Sequence, residues 1–384
     1  MTTTRPTWAE ISRSRLLHND AVLLRLAAGE AELLAVVKAN AYGHGLAECA
    51  RVLESGGARW FGVTCVEEGV ELRRACPGAH IVVMAGLWHQ EAEAALSHRL
   101  TPVVWESAHL KWLEASAHKQ GLGAGQVPVH LEIDTGMSRQ GASIDQLELL
   151  LGCFAPGRAL RLEGVMTHFH SPENEVATQE QEAALARAVG IIQTNGLRPE
   201  YLSAGSSAAA LRSGADGLRG LARQNGMRRM LRTGIALYGY GPAADSVTEL
   251  RPVLSWKTQV AGLREIEPGT SVGYDGTFTA QRRTRLALLP VGYADGLNRL
   301  LSNRGSVLIR GQRAPIAGRI SMDHTVVDVT EIAGVERGDE VVLIGEQGKE
   351  KITADELAQM TGTISYEVLC AIAPRVPRVM VDQE

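Results

Sequence analysis

The sequence of 384 residues is poor in cysteine and contains no long apolar run. Its five cysteines are scattered and odd in number, and no CxxC pair occurs, so neither a disulfide framework nor a zinc ribbon is indicated. No stretch approaches the roughly 18 apolar residues that suggest a membrane-spanning helix. The net charge of -4, without a polybasic run, argues against a nucleic-acid partner that is held through phosphate contacts.

The amino-terminal segment also lacks the features of an export signal. The stretch MTTTRPTWAEIS contains neither an apolar core nor a small-residue cleavage site. We therefore expect a cytoplasmic protein whose thiols are reduced and mostly buried, without a membrane partner.

Eight short apolar runs in the first part of the chain alternate with segments of helical spacing. Near-continuous apolar strands that alternate with amphipathic helices indicate a parallel sheet. Eight such units fit a (β/α)8 barrel. The runs are Leu33–Val37, Trp60–Cys65, Ile81–Ala85, Pro102–Trp105, Val127–Ile133, Leu162–Thr167, Tyr201–Ala204 and Leu231–Leu237.

The chain after Gly241 has a different pattern from the part before it. Long helical patterns become scarce, and runs such as VVLIGE are separated by turn signals such as PGT and RGD. This pattern is typical of a β-rich domain, in which we expect one late helix at Thr353–Met360. We therefore predict an α/β protein with an N-terminal (β/α)8 TIM barrel at 1–241 and a C-terminal mostly-β domain at 242–384. The first residues of the chain are expected to pack with the β domain.

Polar side chains occur where several predicted barrel strands end, which is where barrel enzymes place their chemistry. Lys38 follows the first strand, His168 follows the sixth, and Arg232 lies in the last. A lysine that emerges from an apolar strand suits Schiff-base chemistry, because partial burial lowers its pKa and the neutral amine can then attack an aldehyde. Taken alone, Lys38 is equally compatible with a surface-facing strand end.

Other residues at these strand ends indicate a phosphate site or, alternatively, a metal site. Gly205–Ser207 precedes a helix start and supplies hydroxyl and N–H donors that suit phosphate, although serine is also an ordinary N-cap. Gly234 and Ile235 add backbone donors. The pair His168 and His170 suits a metal, but further ligands at a suitable spacing are not evident, so a metal-dependent hydrolase is the less favoured interpretation.

Ten sequence motifs are spread over essentially the whole chain. They are AVVKANAYGHG at Ala35–Gly45, TWAEI, DTGMSR, EGVMTHF, SSAAAL, RTGIALYG, VGYDGTF, PVGYADG, GRISMDH and ISYEVLC. In sequence and in order they resemble the motifs of the alanine racemases, a family of enzymes that use pyridoxal phosphate (PLP), and AVVKANAYGHG is similar to the lysine motif of that family. The resemblance implies PLP fold type III and a head-to-tail homodimer, in which each active site combines the barrel of one subunit with the β domain of the other.

The resemblance also implies a role for residues in both domains. Lys38 is implied to bind PLP covalently, His168 to lie beside the pyridine ring, and Arg232 to face the ring nitrogen. Arg139 is implied to contact the phenolic oxygen of PLP and to help place the substrate carboxylate. The implied phosphate contacts are Tyr42, Ser207, Gly234, Ile235 and Tyr366. The residues implied to arrive from the partner subunit, in or near the substrate site, are Tyr274, Met322, Tyr293 and Asp323.

The activity that the resemblance implies is interconversion of L-alanine and D-alanine, which supplies D-alanine for cell-wall peptidoglycan. This reaction needs one group on each face of the α-carbon, because a single base returns the same enantiomer. By the family pattern, Lys38 exchanges the proton of D-alanine and Tyr274 that of L-alanine. A free tyrosine has a pKa near about 10, so a neighbour must lower it, and the sequence does not show that neighbour.

One position of the DTGMSR region departs from the family pattern. Many members carry a carbamylated lysine two residues before the aspartate, and this chain has Glu132 there. We predict that the Glu132 carboxylate supplies the same negative charge and pairs directly with Arg139, whose guanidinium suits bidentate contact. The stretch Ser213–Arg229 also looks longer than usual, and we interpret it as an extra surface helix or loop.

Three other functions remain open at this point. A broad-specificity amino-acid racemase is the closest competitor, although such relatives are often exported. A fold-type-III PLP decarboxylase shares both domains, but the DTGM-R, GYADG and SMD motifs favour a racemase. The metal-dependent barrel hydrolase belongs to a different class, and a visible absorption band that is lost on borohydride treatment separates every PLP enzyme from it.

Overall fold

The computed structural model describes residues 5–27, 31–205, 216–241 and 249–382. The chain divides into two compact units. The barrel unit comprises Leu16–Ala41 and Leu46–Leu250, and the strand-rich unit comprises Met1–Arg15, Tyr42–Gly45 and Arg251–Glu384. The predicted domain boundary after Gly241 borders residues outside the described ranges and stays a prediction.

The barrel unit contains eight parallel strands that close into a barrel, which confirms the predicted fold. Each strand pairs with the next, and the last pairs with the first. The barrel strands are β2 (Ala31–Val36), β3 (Trp60–Val63), β4 (His80–Val83), β5 (Thr101–Val104), β6 (Val127–Glu132), β7 (Leu160–Met166), β8 (Tyr201–Gly205) and β9 (Arg228–Thr233). The described helices of this part are α1 (Arg13–Leu26), α2 (Leu46–Ser55), α3 (Val66–Ala75), α4 (Glu91–Ser97), α5 (Ser107–Lys119), α6 (Ile144–Leu151), α7 (Glu175–Thr194) and α8 (Asp216–Gln224).

The barrel strands are short and apolar because both of their faces are buried. Every residue of β3 and of β5 is buried, which is typical of strands that face the barrel interior on one side and helices on the other. The interior is filled by large side chains from several strands, which makes it a packed core and not a pore. They are Leu34, Trp60, Val82, Val103, Met166, Tyr201 and Met230.

The helix α8 lies within the stretch Ser213–Arg229, which we interpreted as an extra surface helix or loop, and its being extra relative to the family stays a prediction. This helix lies between β8 and β9 in the chain and buries Leu218 and Ala222. It therefore covers the barrel as the other connecting helices do. Residues 213–215 lie outside the described ranges.

The strand-rich unit confirms the predicted mostly-β second part. Its largest sheet has the strand order β16-β15-β18-β10-β1-β20, with β19 paired to β18, and the smaller sheets are β11-β14-β17 and β12-β13. The strands are β1 (Thr7–Ser12), β10 (Leu254–Gln259), β11 (Gly262–Ile266), β12 (Ser271–Val272), β13 (Phe278–Thr279), β14 (Thr284–Leu289), β15 (Ser306–Ile309), β16 (Gln312–Pro315), β17 (Thr325–Asp328), β18 (Glu340–Gln347), β19 (Glu350–Ile352) and β20 (Arg378–Val381).

The first strand of the chain lies inside the large sheet of this unit. It pairs antiparallel with β10 and parallel with β20. Two helices follow β19, namely α9 (Ala354–Thr361) and α10 (Ser365–Cys370). The predicted late helix is α9, which begins after Thr353 because the Thr353 hydroxyl caps it by accepting from the backbone N–H of Glu356 at 3.1 Å. Across the described ranges, no helix is both long enough and apolar enough to cross a membrane.

Candidate active site

The chain reverses its helical hand directly after the predicted Schiff-base lysine. Lys38 follows the end of β2 and is half-buried, and Ala39, Asn40, Ala41 and Tyr42 all have φ between 51° and 54°. Each L residue in this left-handed conformation costs about 1–2 kcal/mol. Strain of this kind collects at functional sites. Nothing in the KANAY pattern signals this turn, because alanine favours the right-handed helix.

Side chains from neighbouring segments hold the left-handed turn. Glu68 on α3 accepts hydrogen bonds from the backbone N–H groups of Ala39 at 2.7 Å and Thr64 at 2.8 Å. The Asn40 side-chain oxygen accepts from the N–H of Leu46 at 2.9 Å. These contacts fix the backbone that follows the lysine, so its side chain leaves the strand in a set direction.

A buried arginine and a histidine form the centre of the predicted cofactor site. Arg232 donates from Nη1 to the carbonyl and hydroxyl oxygens of Ser203 at 3.0 and 2.8 Å. Its Nη2 donates to the carbonyl of Thr167 at 2.7 Å and to Nδ1 of His168 at 3.0 Å. The third nitrogen, Nε, donates to no residue in the described part of the chain. Burial lowers the pKa of Arg232 to about 10, although the Glu132 carboxylate raises it, so the guanidinium stays charged at neutral pH.

The imidazole of His168 is uncharged. Arginine can only donate, so Nδ1 accepts and the imidazole proton lies on Nε2. Burial and the positive charges of Arg232, Arg139 and Lys38 lower the pKa of His168 to about 3. The structure therefore brings together four predicted site residues, in which the imidazole of His168 is neutral. They are Lys38, Arg139, His168 and Arg232.

The glutamine Gln181 on α7, which the sequence did not indicate as a site residue, fixes the chain around His168. Its Nε2 donates to the His168 carbonyl at 3.2 Å and to the Thr135 hydroxyl at 3.0 Å, and its Oε1 accepts from the N–H of His170 at 3.1 Å. Its exposure of only 2% shows that it belongs to the scaffold of the site. Its polarity on an otherwise apolar helix face is the only sequence signal, and that signal is not specific.

The alternative metal site at the HxH motif finds no ligand set in the part of the chain that the structure describes. There, no three His, Cys, Asp or Glu side chains lie close enough to hold a metal ion. His170 instead makes a hydrogen bond through Nδ1 to the Ser171 hydroxyl at 2.8 Å. Of the two histidines of the HxH motif, His168 therefore lies inside the site and His170 lies at its edge.

The segment with Arg139 is folded by an aspartate turn. The Asp134 carboxylate accepts from the N–H groups of Gly136 and Ser138, both at 3.0 Å, as a short acidic side chain does in a turn. The turn brings Arg139 to the same small cleft that Glu132 lines.

The predicted ion pair between Glu132 and Arg139 is wrong. Within the described residues no such pair joins them, because Gln140 Nε2 donates to the Glu132 carboxylate at 2.6 Å and to the Met84 carbonyl at 3.1 Å. Burial raises the pKa of Glu132, and the Gln140 bond and the charges of Arg232 and Arg139 only partly oppose this. The Glu132 carboxylate therefore acts on Arg139 through space and not by contact.

The predicted phosphate contacts on the barrel lie where β9 ends. The 3-10 helix Ile235–Tyr238 begins there, and its first internal hydrogen bond runs from the N–H of Leu237 to the carbonyl of Gly234 at 3.0 Å. The N–H of Ile235 precedes that bond, so the helix does not use it. Ser207, another predicted phosphate contact, lies outside the described residues.

In the strand-rich unit, the predicted phosphate contacts Tyr42 and Tyr366 form an aromatic pair with ring centroids 6.0 Å apart. Burial raises the pKa of both phenols, so both hydroxyls remain donors at neutral pH. Gly43, with φ 83°, is required next to Tyr42, because a Cβ there would lie 2.3 Å from the Leu369 carbonyl on α10. Arg378 donates to the Gly43 carbonyl at 2.8 Å, which fixes this close approach.

The second predicted proton-transfer group, Tyr274, stands on the surface of the strand-rich unit. It begins the 3-10 turn Tyr274–Gly276, and 67% of the residue is exposed. Arg319 forms an ion pair with Asp275 at 3.0 Å and so ties this turn to the loop that contains Met322. Met322 is itself 54% exposed, so two large side chains of neighbouring segments are open to solvent.

The predicted substrate residues Tyr293 and Met322 are brought together by their backbones. The N–H of Tyr293 donates to the Ser321 carbonyl at 3.0 Å, and that of Ala294 donates to the Met322 carbonyl at 3.0 Å. Asp323 follows directly on the same loop. One turn and one loop therefore present three predicted substrate residues.

The chain is similar to proteins of one family over nearly its whole length. Residues 11–242 match the family model described as alanine racemase, N-terminal domain, and residues 253–380 match the one described as alanine racemase, C-terminal domain. The chain is 39% identical to an alanine racemase of Sorangium cellulosum, over 97% of this chain and 98% of that protein.

Solved structures of the same family share the fold. The alanine racemase from D-cycloserine-producing Streptomyces lavendulae superposes with a TM-score of 0.88 at 30% identity, over 99% of this chain and 98% of that one. The alanine racemase from Bartonella henselae with covalently bound pyridoxal phosphate has a TM-score of 0.83 at 29% identity, over 98% of this chain and 99% of that one.

Proposed function

Because the chain belongs to the alanine racemase family, we propose that it interconverts L-alanine and D-alanine with PLP as its cofactor. The product D-alanine then supplies peptidoglycan synthesis in the cytoplasm. The proposal rests on one arrangement at the end of the barrel. Buried Arg232 donates a hydrogen bond to the neutral imidazole of His168, and the positive charge of Lys38 lies near enough to help lower the pKa of that imidazole. This set suits an uncharged heteroaromatic ring that needs an amine for attachment.

The donors at the barrel end fit the chemical groups of PLP. Arg232 Nε suits a pyridine nitrogen that accepts a hydrogen bond, and Lys38 supplies the amine that attaches the cofactor. When bound, PLP supplies the electron sink that makes the α-proton of an amino acid acidic. Arg232 keeps its own proton at neutral pH and therefore donates a hydrogen bond without protonating the ring. The proposed phosphate contacts are Tyr42, Ser207, Gly234, Ile235 and Tyr366.

Two groups of the chain move the proton in this proposal. Lys38 Nζ exchanges the α-proton of D-alanine, and Tyr274 Oη of the partner subunit exchanges that of L-alanine on the opposite face. Arg139 contacts the phenolic oxygen of the cofactor and helps to place the substrate carboxylate. Met322 of the partner subunit lies at the same substrate, and Tyr293 of the partner subunit and Asp323 of the partner subunit lie nearby. The exposure of Tyr274 and Met322 supports a head-to-tail homodimer, since large side chains open on one copy are available to a second.

The proposed function is tested with purified chain, added PLP and three substrates. We expect D-alanine to form from L-alanine with a kcat/KM at least about tenfold above that for L-serine or L-lysine, because even one additional side-chain group commonly changes kcat/KM by that factor. Comparable rates with L-lysine would identify a broad-specificity racemase. Release of CO2 without D-alanine would identify a decarboxylase.

A second expectation concerns the charge of Glu132. We expect Glu132→Gln to raise the KM for alanine about tenfold, or about 1.4 kcal/mol, with a smaller change in kcat. The reason is that the negative charge of Glu132 attracts the Arg139 guanidinium and helps to hold it in one orientation, whereas the neutral amide of the same size does not. Steady-state kinetics in both directions measures the change.

The matched control for this expectation is Gln140→Leu, which removes the hydrogen bond and leaves the charge of Glu132. An equal rise of KM in this control would contradict a role for the charge. Because burial raises the pKa of Glu132, the stability it contributes is present at low pH and is lost as pH rises through that pKa. Glu132→Gln should therefore gain thermal stability relative to the parent chain as pH rises from about 4 to about 8.

A further inference from the structure

Asp295 is a fully buried carboxylate of the strand-rich unit that the proposed mechanism does not use. Arg5 donates to both of its oxygens, Arg375 Nε donates to Oδ1 at 2.8 Å, and the N–H of Gly292 donates to Oδ2 at 3.0 Å. Burial raises the pKa of Asp295, but these donors outweigh it and hold the pKa below its usual range. The side chain is therefore a permanent, fully paired anion.

Arg375 extends this contact to a second carboxylate. Its Nη2 donates to Asp323 Oδ1 at 2.8 Å, so one guanidinium bridges Asp295 and Asp323. We name the set Arg5, Asp295, Arg375 and Asp323 the Asp295 clamp. It joins the segment before β1, the turn with Asp295, the loop with Met322 and the segment between α10 and β20.

The turn and the loop inside the clamp are in direct backbone contact, so they have no room to slide past each other. A Cβ at Gly292 would lie 2.2 Å from the Ser321 carbonyl and 2.4 Å from that of Met322, so the two backbones touch. On the other side, a Cβ at Gly296 would lie 2.3 Å from the Ala371 carbonyl. Small changes in how the clamp is held are therefore transmitted to the backbone of both segments.

We propose that the Asp295 clamp positions Tyr293 and Met322 for the substrate, with Asp295 and Arg375 as its positioning residues. This proposal rests on the proposed function, which places both side chains at the substrate. Apolar residues of similar volume commonly stabilise a fold as well as a buried ion pair does. The charged clamp instead determines relative positions, because donors from three segments converge on one carboxylate and so fix the turn relative to the loop.

The test compares Arg375→Lys with Arg310→Lys. Lysine keeps the charge, but its single ammonium does not reproduce the planar fork that bridges two carboxylates. Arg310 is the matched control because it is 43% exposed, against 41% for Arg375, and it pairs with Asp339 of the same unit at 2.7 Å. It contacts none of the proposed substrate residues.

Two measurements are made on each purified variant with PLP. We expect Arg375→Lys, but not Arg310→Lys, to speed hydrogen exchange of the Tyr293 and Ala294 amides by about tenfold or more. We also expect the KM for alanine to rise about five- to tenfold in both directions, with kcat changed less than about twofold. Should Arg375→Lys fail to fold, Arg5→Lys is used with the same expectations.

Each outcome decides the proposal. Unchanged exchange in Arg375→Lys overturns it, because the clamp then does not hold the turn. Faster exchange with unaltered KM also overturns it and leaves a purely structural role. Equal effects in Arg310→Lys overturn it as well, since any lost ion pair then has the same consequence. If the parent chain does not racemise alanine, the proposed function itself is overturned, and this result is obtained without any variant.

Discussion

Replacement of Lys38 by alanine is expected to abolish racemisation in both directions, with a loss of at least about 10³-fold in kcat. The amine both attaches the cofactor and exchanges one of the two protons, so no other group replaces it. The visible absorption band that borohydride removes should also be lost. Formation of D-alanine from L-alanine, and the reverse, measures the first effect, and absorption spectra measure the second.

The control for this variant is Lys111→Ala, which removes an exposed lysine of α5 in the same unit. It should keep both activity and the absorption band. The half-burial of Lys38 predicts only a small change in thermal stability for its own variant, so loss of activity is not loss of fold. Cofactor that stays covalently bound to the Lys38→Ala chain after borohydride reduction and denaturation would show that PLP is attached elsewhere.

The barrel could be predicted because both faces of its strands are buried in an apolar environment. Runs such as Trp60–Val63 are buried throughout, so they stand out as uninterrupted apolar segments. Barrel topology then brings the ends of distant strands together, which is why Lys38, His168 and Arg232 could be grouped without coordinates. The residues that α8 buries could not be predicted, because the length of a segment does not show which of its side chains face the barrel.

Features that depend on packing between side chains could not be predicted. The left-handed turn after Lys38 exists because Glu68 and Asn40 bind its backbone, and the local pattern favours the opposite hand. Glu132 takes its hydrogen bond from Gln140 and not from Arg139, although the two donors are adjacent in the chain. Which of two neighbouring donors faces a buried carboxylate is decided by the turn between them, and that geometry is not encoded in spacing.

Replacement of Tyr274 by phenylalanine is expected to separate the two half-reactions. Exchange of the α-proton of L-alanine with solvent deuterium should fall at least about 10³-fold, while exchange of the D-alanine proton falls less than about tenfold. Phenylalanine keeps the ring and removes only Oη, and Lys38 still serves the other face. Deuterium incorporation from each enantiomer, followed by mass spectrometry, measures both rates.

The control for this variant is Tyr293→Phe, because Tyr293 is also exposed in the strand-rich unit and is not assigned a proton. It should alter KM without favouring one enantiomer. Equal loss of exchange from L-alanine and D-alanine in Tyr274→Phe would contradict the assignment of one proton to each face. Loss of proton exchange from D-alanine alone would show that Tyr274 serves D-alanine and Lys38 serves L-alanine.

Mixing the two inactive variants tests whether Lys38 and Tyr274 act across two subunits. In a head-to-tail dimer of one Lys38→Ala and one Tyr274→Phe subunit, one site has both defects and the other has neither. Random reassociation makes half of the dimers mixed, so about a quarter of the parent activity should return. If both groups came from the same chain, every site would keep one defect and mixing would restore nothing. Recovery therefore requires that the amine and the phenol of one site belong to different copies of the chain.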